Sequence, residues 1–125
     1  MFKIRWLLAV GLGFALGAPV QAANPYNGTW ALSFDTKTED LEGTVVVKDD
    51  GGTWHVDAQG SKNPCIGREF QIAVKAASEA ELVFEVQRSK LLASCKDWMV
   101  KLKRVDAKTL KGLFADSREI TLHKQ

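Results

Sequence analysis

The chain has 125 residues, of which 46 % are hydrophobic and 26 % are charged. These proportions are typical of a globular domain, and they exclude a disordered polyelectrolyte, a collagen-like repeat and a polytopic membrane protein. The formal charge is +2, from 17 Lys and Arg residues and 15 Asp and Glu residues. Such a small basic excess points to nucleic acid or an anionic membrane only if it belongs to the folded domain.

The first 22 residues have the pattern of a secretory signal peptide. Lys3 and Arg5 precede an apolar run, Trp6 to Ala18, that is short for a membrane span. Val20-Gln21-Ala22 supplies the small residues that a signal peptidase reads, so the sequence predicts cleavage after Ala22. The alternative is an uncleaved N-terminal anchor. Cleavage would leave one domain, residues 23–125, in the periplasm or outside the cell, without a membrane anchor.

Loss of this segment removes the basic excess. Residues 1–22 hold two cations and no carboxylate, so the predicted domain has 15 basic and 15 acidic residues and no net charge. The net charge of the predicted domain therefore supports neither nucleic acid nor an anionic membrane as a partner.

Alternating apolar and polar residues predict about eight short strands from Thr29 to the C-terminus. Arg88 to Cys95 is compatible with a single helical turn, and no longer helical period is present. Eight consecutive strands with short links can close into an antiparallel up-and-down β-barrel, with a two-sheet sandwich as the alternative. The apolar positions are, in chain order, Trp30, Leu32 and Phe34; Val45, Val46 and Val47; Trp54, Val56 and Ala58; Phe70, Ile72 and Val74; Leu82, Phe84 and Val86; Trp98, Val100 and Leu102; Leu110 and Phe114; Ile120 and Leu122.

The lengths of the links distinguish the two ends of the predicted barrel, because successive links in a meander alternate between them. One end, the base, has only short links, at Asp49 to Gly52, Ala76 to Glu79 and Asp106 to Lys108. The other end, the mouth, has three long links and a short one, at Thr36 to Glu42, Gln59 to Arg68, Arg88 to Lys96 and Asp116-Ser117.

The only two cysteines, Cys65 and Cys95, fall in two of the long links and therefore at the same end. In an oxidising compartment such a pair predicts one structural disulfide. A redox motif or a zinc site is not expected, since no CxxC spacing is present.

Gly28-Thr29-Trp30 at the first strand and Arg118 before the last resemble the lipocalin and calycin pattern. In that superfamily the Trp packs across the closed end of the barrel and the Arg lies over it, so the resemblance implies structural roles for Gly28, Trp30 and Arg118. This chain is shorter than a typical lipocalin and lacks the terminal helix. Counting along the meander also places Arg118 at the mouth, away from Trp30 at the base.

The chain also resembles small periplasmic protease inhibitors and other bacterial secreted proteins of this build. The inhibitors share the size, the barrel, the Gly-x-Trp start and a single disulfide, and they insert an N-terminal trunk into the enzyme cleft. Here the corresponding segment, Ala23 to Asn27, is short.

No cluster of acid, base and nucleophile is present, so we expect neither enzyme activity nor a cofactor nor a metal site. His55 and His123 are predicted on the surface, and the tryptophans in the core. An eight-stranded barrel is just wide enough for its own side chains or one small ligand. Because large apolar residues occupy nearly every strand, we expect a filled interior with at most a shallow pocket at the mouth.

The long links favour a monomeric binding module, because loops on a rigid scaffold commonly carry function. The expected partner is a protein or a small apolar ligand, and the alternative is inhibition of a protease or lysozyme-type enzyme by these loops or by the N-terminal tail. Leu91 and Leu92 either cap the mouth or form an exposed contact patch. The candidate contact residues are Lys62, Asn63, Arg68, Arg88, Lys90, Leu91 and Leu92.

Overall fold

The computed structural model describes residues 23–35, 40–58, 62–114 and 117–125. The predicted signal peptide, residues 1–22, lies outside these ranges, as does the link between the first two strands, residues 36–39.

Eight antiparallel strands form a closed barrel in which each strand pairs with its neighbours in sequence. β8 closes the barrel against β1, with Leu32 opposite Leu122 and Phe34 opposite Ile120. The predicted barrel is thus confirmed, and the two-sheet sandwich is wrong. The strands are β1 Gly28–Asp35, β2 Asp40–Lys48, β3 Gly51–Asp57, β4 Glu69–Ala77, β5 Glu81–Val86, β6 Trp98–Asp106, β7 Thr109–Leu113 and β8 Glu119–Lys124, with a 3₁₀ turn, Arg88–Lys90, between β5 and β6.

The two-residue period of each strand separates the core from the surface. In β1, Trp30, Leu32 and Phe34 are buried, whereas Asp35 is exposed. Every strand contributes at least one buried apolar side chain to a single core cluster. The interior is therefore packed with side chains, as the pattern of the sequence predicts.

Two glycines lie where the backbone of a neighbouring strand comes very close. A Cβ atom on Gly43 would lie 2.1 Å from the carbonyl oxygen of His55, and one on Gly112 would lie 1.9 Å from that of Lys101. Neither position has room for a side chain, because the neighbouring backbone approaches too closely.

The link lengths agree with the prediction except at the first and last links. The first link is residues 36–39, which is shorter than the predicted Thr36 to Glu42 because β2 begins at Asp40. At the base the links are residues 49–50, 78–80 and 107–108, and at the mouth they include 58–68 and 87–97. The link between β7 and β8 is residues 114–118, which is longer than predicted because β7 ends at Leu113 and β8 begins at Glu119.

Residues 24–27 close the base of the barrel. The Trp30 indole N–H donates to the carbonyl oxygen of Tyr26 at 2.9 Å, and the Tyr26 hydroxyl donates to the carbonyl oxygen of Ser78. The backbone N–H of Asp49 donates to the side-chain oxygen of Asn27 at 2.7 Å. Tyr26 is only 1 % exposed, so this segment is an integral part of the fold.

At the base, Trp30 has the structural position that the resemblance implies, but no arginine of the described chain lies over its ring. The Lys124 ammonium lies 5.2 Å from the centre of the Trp30 ring and donates to the carbonyl oxygen of Asn27 at 3.0 Å. The Arg118 guanidinium instead lies 5.5 Å from the Phe34 ring and 5.0 Å from the Phe114 ring, at the mouth. The Trp–Arg pair that the calycin resemblance implies is therefore wrong, because Arg118 lies just before the strand that Lys124 ends.

Candidate functional site

A disulfide joins two loops at the mouth. Cys65 and Cys95 are bonded, with their Cα atoms 5.6 Å apart. This bond ties the β3–β4 link to the β5–β6 link, as predicted, and it indicates an oxidising compartment. We refer to residues 62–68 and 87–97 together as the loop platform.

Arg88 provides a second connection between the same two loops. Its Nε donates to the carbonyl oxygen of Lys96 at 2.7 Å, and its Nη1 donates to that of Cys65 at 2.9 Å. The guanidinium carbon also lies 3.7 Å from the centre of the Trp98 ring. Burial lowers the pKa of Arg88, although an arginine still keeps its charge.

The position of Arg88 differs from the one predicted, since it is 6 % exposed and not on the contact surface. Its side chain follows the inward phase of Phe84 and Val86 and is therefore directed towards the barrel axis. Two backbone carbonyl groups and the face of an indole ring replace water around the guanidinium, which makes its burial tolerable.

Asp97 and Ser89 hold the two ends of the β5–β6 link together. The Ser89 backbone N–H donates to Asp97 Oδ1 at 2.8 Å, and the Ser89 hydroxyl donates to Oδ2 at 3.0 Å. These hydrogen bonds, with smaller contributions from the charges of Arg88 and Lys90, lower the pKa of Asp97. The carboxylate of Asp97 thus serves the loop itself.

Asn63 shapes the other half of the platform. Its side-chain oxygen accepts the backbone N–H of Cys65 at 2.9 Å, and its carbonyl oxygen accepts that of Ile66 at 3.2 Å. The Ile66 side chain then packs against the core. This predicted contact residue therefore has a role in the turn that presents Cys65.

The remaining predicted contact residues lie on the outside of the platform. Lys62, Arg68 and Lys90 are exposed. Leu91, which follows the 3₁₀ turn, is 51 % exposed, whereas Leu92 is half-buried. The two leucines therefore differ, and Leu91 is the one available as a contact.

The platform has a cationic character that the whole domain lacks. Its two loops contain five Lys and Arg residues and one carboxylate, Asp97. The carboxylate accepts hydrogen bonds from Ser89. A cationic surface that also exposes an apolar side chain, Leu91, suits a partner that offers carboxylates beside an apolar pocket.

An aromatic cluster fills the barrel beneath the platform. The Phe34 and Phe114 rings are 5.2 Å apart between centroids, Trp98 and Phe114 are 5.5 Å apart, and Trp54 and Trp98 are 6.2 Å apart. A cavity of about 10 Å³ lies between this cluster and Ile66. That volume is enough for at most one water molecule, so this cavity has no room for a small apolar ligand.

The described residues contain no group of three or more His, Cys, Asp or Glu side chains that could hold a metal ion. His55 is on the outer surface, as predicted, where its Nδ1 lies 3.3 Å from Asp57 Oδ1. His123 is also exposed, with its Nδ1 3.5 Å from the Thr109 hydroxyl. Neither arrangement brings a nucleophile and an oriented base together in a cleft.

A pair of carboxylates lies on the side of the mouth formed by β1 and β2. Asp35 is opposite Asp40 in the register of the two strands. A hydrogen bond with Asp40 and the charge of that carboxylate raise the pKa of Asp35, to which Glu119 adds a smaller effect. Both residues are exposed, so this side of the mouth has the opposite charge to the loop platform.

Sequence reasoning missed both non-covalent connections within the platform. A usable signal existed for Arg88, since it continues the inward alternation of β5 and the next strand begins with an aromatic residue, Trp98. The pair of Asp97 and Ser89 had no such signal, because two residues eight apart meet only when the link folds back on itself.

Within the part of the chain that the structure describes, no helix is long and apolar enough to cross a membrane. Comparisons with protein-family models, with curated proteins and with solved structures found no match. The similarity to lipocalins is therefore one of architecture, an eight-stranded antiparallel barrel.

Proposed function

We propose that this protein is a secreted or periplasmic binding module that contacts a protein partner through the loop platform. One observation carries the proposal: the platform is held rigidly by the disulfide, by Arg88 and by Asp97, and yet it leaves Leu91 51 % exposed. A rigid loop that presents an apolar side chain loses little conformational entropy on binding. Such an arrangement is typical of interface hot spots.

The packing of the barrel favours a protein over a small molecule as the partner. Lipocalin-type ligand binding needs an open interior, whereas the core cluster of this barrel extends through every strand. The exposed groups of the platform, Lys62, Arg68, Lys90 and Leu91, face outwards and suit a surface of comparable size. We expect that surface to be acidic around an apolar pocket.

Inhibition of a secreted hydrolase is a second use of the same platform. The clefts of glycosidases hold pairs of carboxylates, which a cationic loop with an apolar tip could occupy. The described tail does not support a trunk mechanism, because Asn24, Tyr26 and Asn27 are bonded into the base, at the end opposite the platform. An inhibitor of this build would therefore use Lys90 and Leu91.

The proposal is tested by recovering partners from a native periplasmic extract on the immobilised protein. Leu91→Asp should lose the specific partner, because a carboxylate replaces the apolar anchor and opposes the acidic surface. Thr44→Asp is the control, since Thr44 is exposed but lies on β2, outside the platform. Equal recovery by Leu91→Asp, Thr44→Asp and the unchanged protein would contradict the proposal.

A matched pair of assays separates the inhibitor from other binding proteins. A recovered hydrolase should lose activity when the barrel is added in equimolar amount, and it should regain activity when Leu91→Asp replaces the barrel. If a partner is recovered but its activity does not change, the binding function is supported and the inhibitor function is rejected.

A further inference from the structure

The outer face of β6 and β7 gathers most of the exposed apolar side chains of the described chain. Four large hydrophobic residues are strongly exposed among the described residues, and three of them, Met99, Val105 and Leu113, belong to these two strands. Three exposed lysines alternate with them. We define the β6–β7 face as Met99, Lys101, Lys103, Val105, Lys111 and Leu113.

The strand register places lysines opposite one another and opposite an apolar residue. Lys103 is opposite Lys111, and Lys101 is opposite Leu113. Like charges directly opposite each other in a sheet are destabilising. Lys103 has Glu81 as its other neighbour, but Lys111 has only Thr121, so the fold itself does not explain this arrangement.

Carboxylates border the face on both neighbouring strands. On β5, Glu81 is opposite Lys103 and Glu85 is opposite Met99, and on β8, Glu119 is opposite Leu113. Residues 98–113 contain five Lys and Arg residues and only one carboxylate, Asp106, which accepts a hydrogen bond from the backbone N–H of Lys108 in the turn. The centre of the face is therefore cationic and apolar.

The opposite side of the barrel carries the compensating negative charge. In an eight-stranded barrel β2 is diametrically opposite β6, and the exposed carboxylates of Asp35, Asp40, Glu42 and Asp57 lie on β1, β2 and β3. The predicted domain has no net charge but has two oppositely charged sides. An anionic surface would orient such a molecule with its β6–β7 face inwards.

We propose that the β6–β7 face docks the barrel on the surface of a bilayer that contains anionic phospholipid. Lysine side chains can reach the lipid phosphates while their methylene groups lie along the apolar residues, and Met99, Val105 and Leu113 would enter the boundary between headgroups and acyl chains. The outer surface of a barrel is convex, which suits a deformable bilayer better than a preformed protein pocket. The contact is peripheral and does not involve the loop platform.

Vesicle binding tests the proposal directly. The protein is residues 23–125, which contain all eight strands of the closed barrel, and its partition is measured by co-sedimentation with vesicles of phosphatidylcholine with and without 30 mol % phosphatidylglycerol. We expect binding only to the anionic vesicles. It should weaken strongly in concentrated salt, because the Debye length falls from about 8 Å at physiological ionic strength to about 3 Å at 1 M.

Two charge-reversal variants distinguish the effect of the β6–β7 face on vesicle partition from the effect of net charge. Lys101→Glu/Lys111→Glu should reduce partition about 25-fold or more, since each lysine near an anionic surface contributes about fivefold. Lys48→Glu/Lys75→Glu changes the net charge equally on exposed residues of β2 and β4, and it should change partition by less than about twofold. An equal loss in both variants, or binding that does not depend on phosphatidylglycerol, would overturn the proposal.

The same variants also test whether the β6–β7 face binds a second copy of the chain in place of a bilayer. A second copy could place its β1–β3 carboxylates against these lysines, but that contact is heterologous and does not close. Sedimentation velocity tests self-association. If the unchanged protein forms concentration-dependent oligomers, Lys101→Glu/Lys111→Glu does not, and neither binds vesicles, then the face binds a second copy and not a bilayer. Leu91→Asp should bind vesicles normally and Leu113→Asp should bind them more weakly, which keeps this proposal separate from that for the loop platform.

Discussion

The Arg88 guanidinium lies 3.7 Å from the Trp98 ring centre while it donates hydrogen bonds to Cys65 and Lys96. One buried cation thus joins the β3–β4 link, the β5–β6 link and the first residue of β6. The disulfide connects the same two loops by a covalent bond. The two loops of the platform are therefore joined by one covalent and one non-covalent connection.

Replacing Arg88 should destabilise the protein. Arg88→Ala leaves the carbonyl groups of Cys65 and Lys96 without this donor and removes the contact of the buried guanidinium with Trp98, at a cost of about 2–4 kcal/mol. Arg88→Lys should recover only part of this, because an ammonium group cannot reproduce the planar fork. Urea denaturation measures the effect. Arg68→Ala, on an exposed residue, is the control and should change the free energy of unfolding by less than about 0.5 kcal/mol.

Removing the disulfide should weaken the barrel without unfolding it. Cys65→Ser/Cys95→Ser opens a link with a sequence separation of 30, for which chain entropy gives a loss of about 3–4 kcal/mol. Far-UV circular dichroism should keep the strand signal, because the strand pairing does not include either cysteine. Amide hydrogen exchange should accelerate in residues 62–68 and 87–97 and stay slow in β1 and β8. A uniform acceleration through the barrel would contradict this division.

The bond between Asp97 and Ser89 should make the platform sensitive to acid. Hydrogen bonds from Ser89 hold the native pKa of Asp97 below its ordinary value of 3.8. Their stabilising effect is therefore complete above that value and is lost as the pH falls through the lower native pKa. In Ser89→Ala the pKa of Asp97, followed by carboxyl NMR, should move up towards 3.8. Ser94→Ala, also in an exposed part of the link, should leave it unchanged.

The pair of Asp35 and Asp40 should give stability the opposite dependence on pH, with a loss as the pH rises. The pKa of Asp35 is raised above 3.8 in the fold, so the native state loses stability as the pH rises through that native value. Asp40→Asn removes the like charge and should make the protein more stable than the unchanged chain at neutral pH, with the difference disappearing in acid. Thermal unfolding at pH 7 and pH 3 measures it. An advantage of the same size at both pH values would show that another effect is responsible.

Tyr26 should contribute strongly to stability at the base. Tyr26→Phe loses only the hydroxyl that donates to Ser78, at a cost of about 1 kcal/mol, whereas Tyr26→Ala creates a cavity and should cost about 3–5 kcal/mol. Thr29→Ala, on an exposed neighbour, is the control. A consequence is that deletion of Ala23 to Asn27 would damage the fold, so it cannot by itself distinguish a tail-based inhibitor from a loop-based one.

The barrel could be predicted because its determinants are local. Alternation in β1 or β5 decides which side chains face inwards, and the short links leave only neighbouring strands to pair. The register of β8 with β1 also follows from closure, which places Arg118 and Lys124 at opposite ends. The motif-based expectation of Arg118 over Trp30 failed because it ignored this geometry.

The details of the platform could be predicted only in part. The cysteines could be assigned to one end by counting links, but the burial of Arg88 depends on two carbonyl groups from different loops. The different exposure of Leu91 and Leu92 depends on the 3₁₀ turn before them, which composition does not determine. The distribution of charge over the surface is also hard to predict from composition. The domain has no net charge, and its cationic side exists because folding places Lys101 and Lys111 far from Asp40 and Glu42.

The most direct test of the central claim is site-specific photocrosslinking in the cell. A photoreactive phenylalanine analogue is incorporated at position 91, in place of Leu91, and at position 44, in place of the exposed Thr44 on β2. We predict a discrete crosslinked protein from position 91 that is absent from position 44 and is lost when Lys90→Glu is added. No crosslink from position 91, or the same products from both positions, would contradict a binding function for the loop platform.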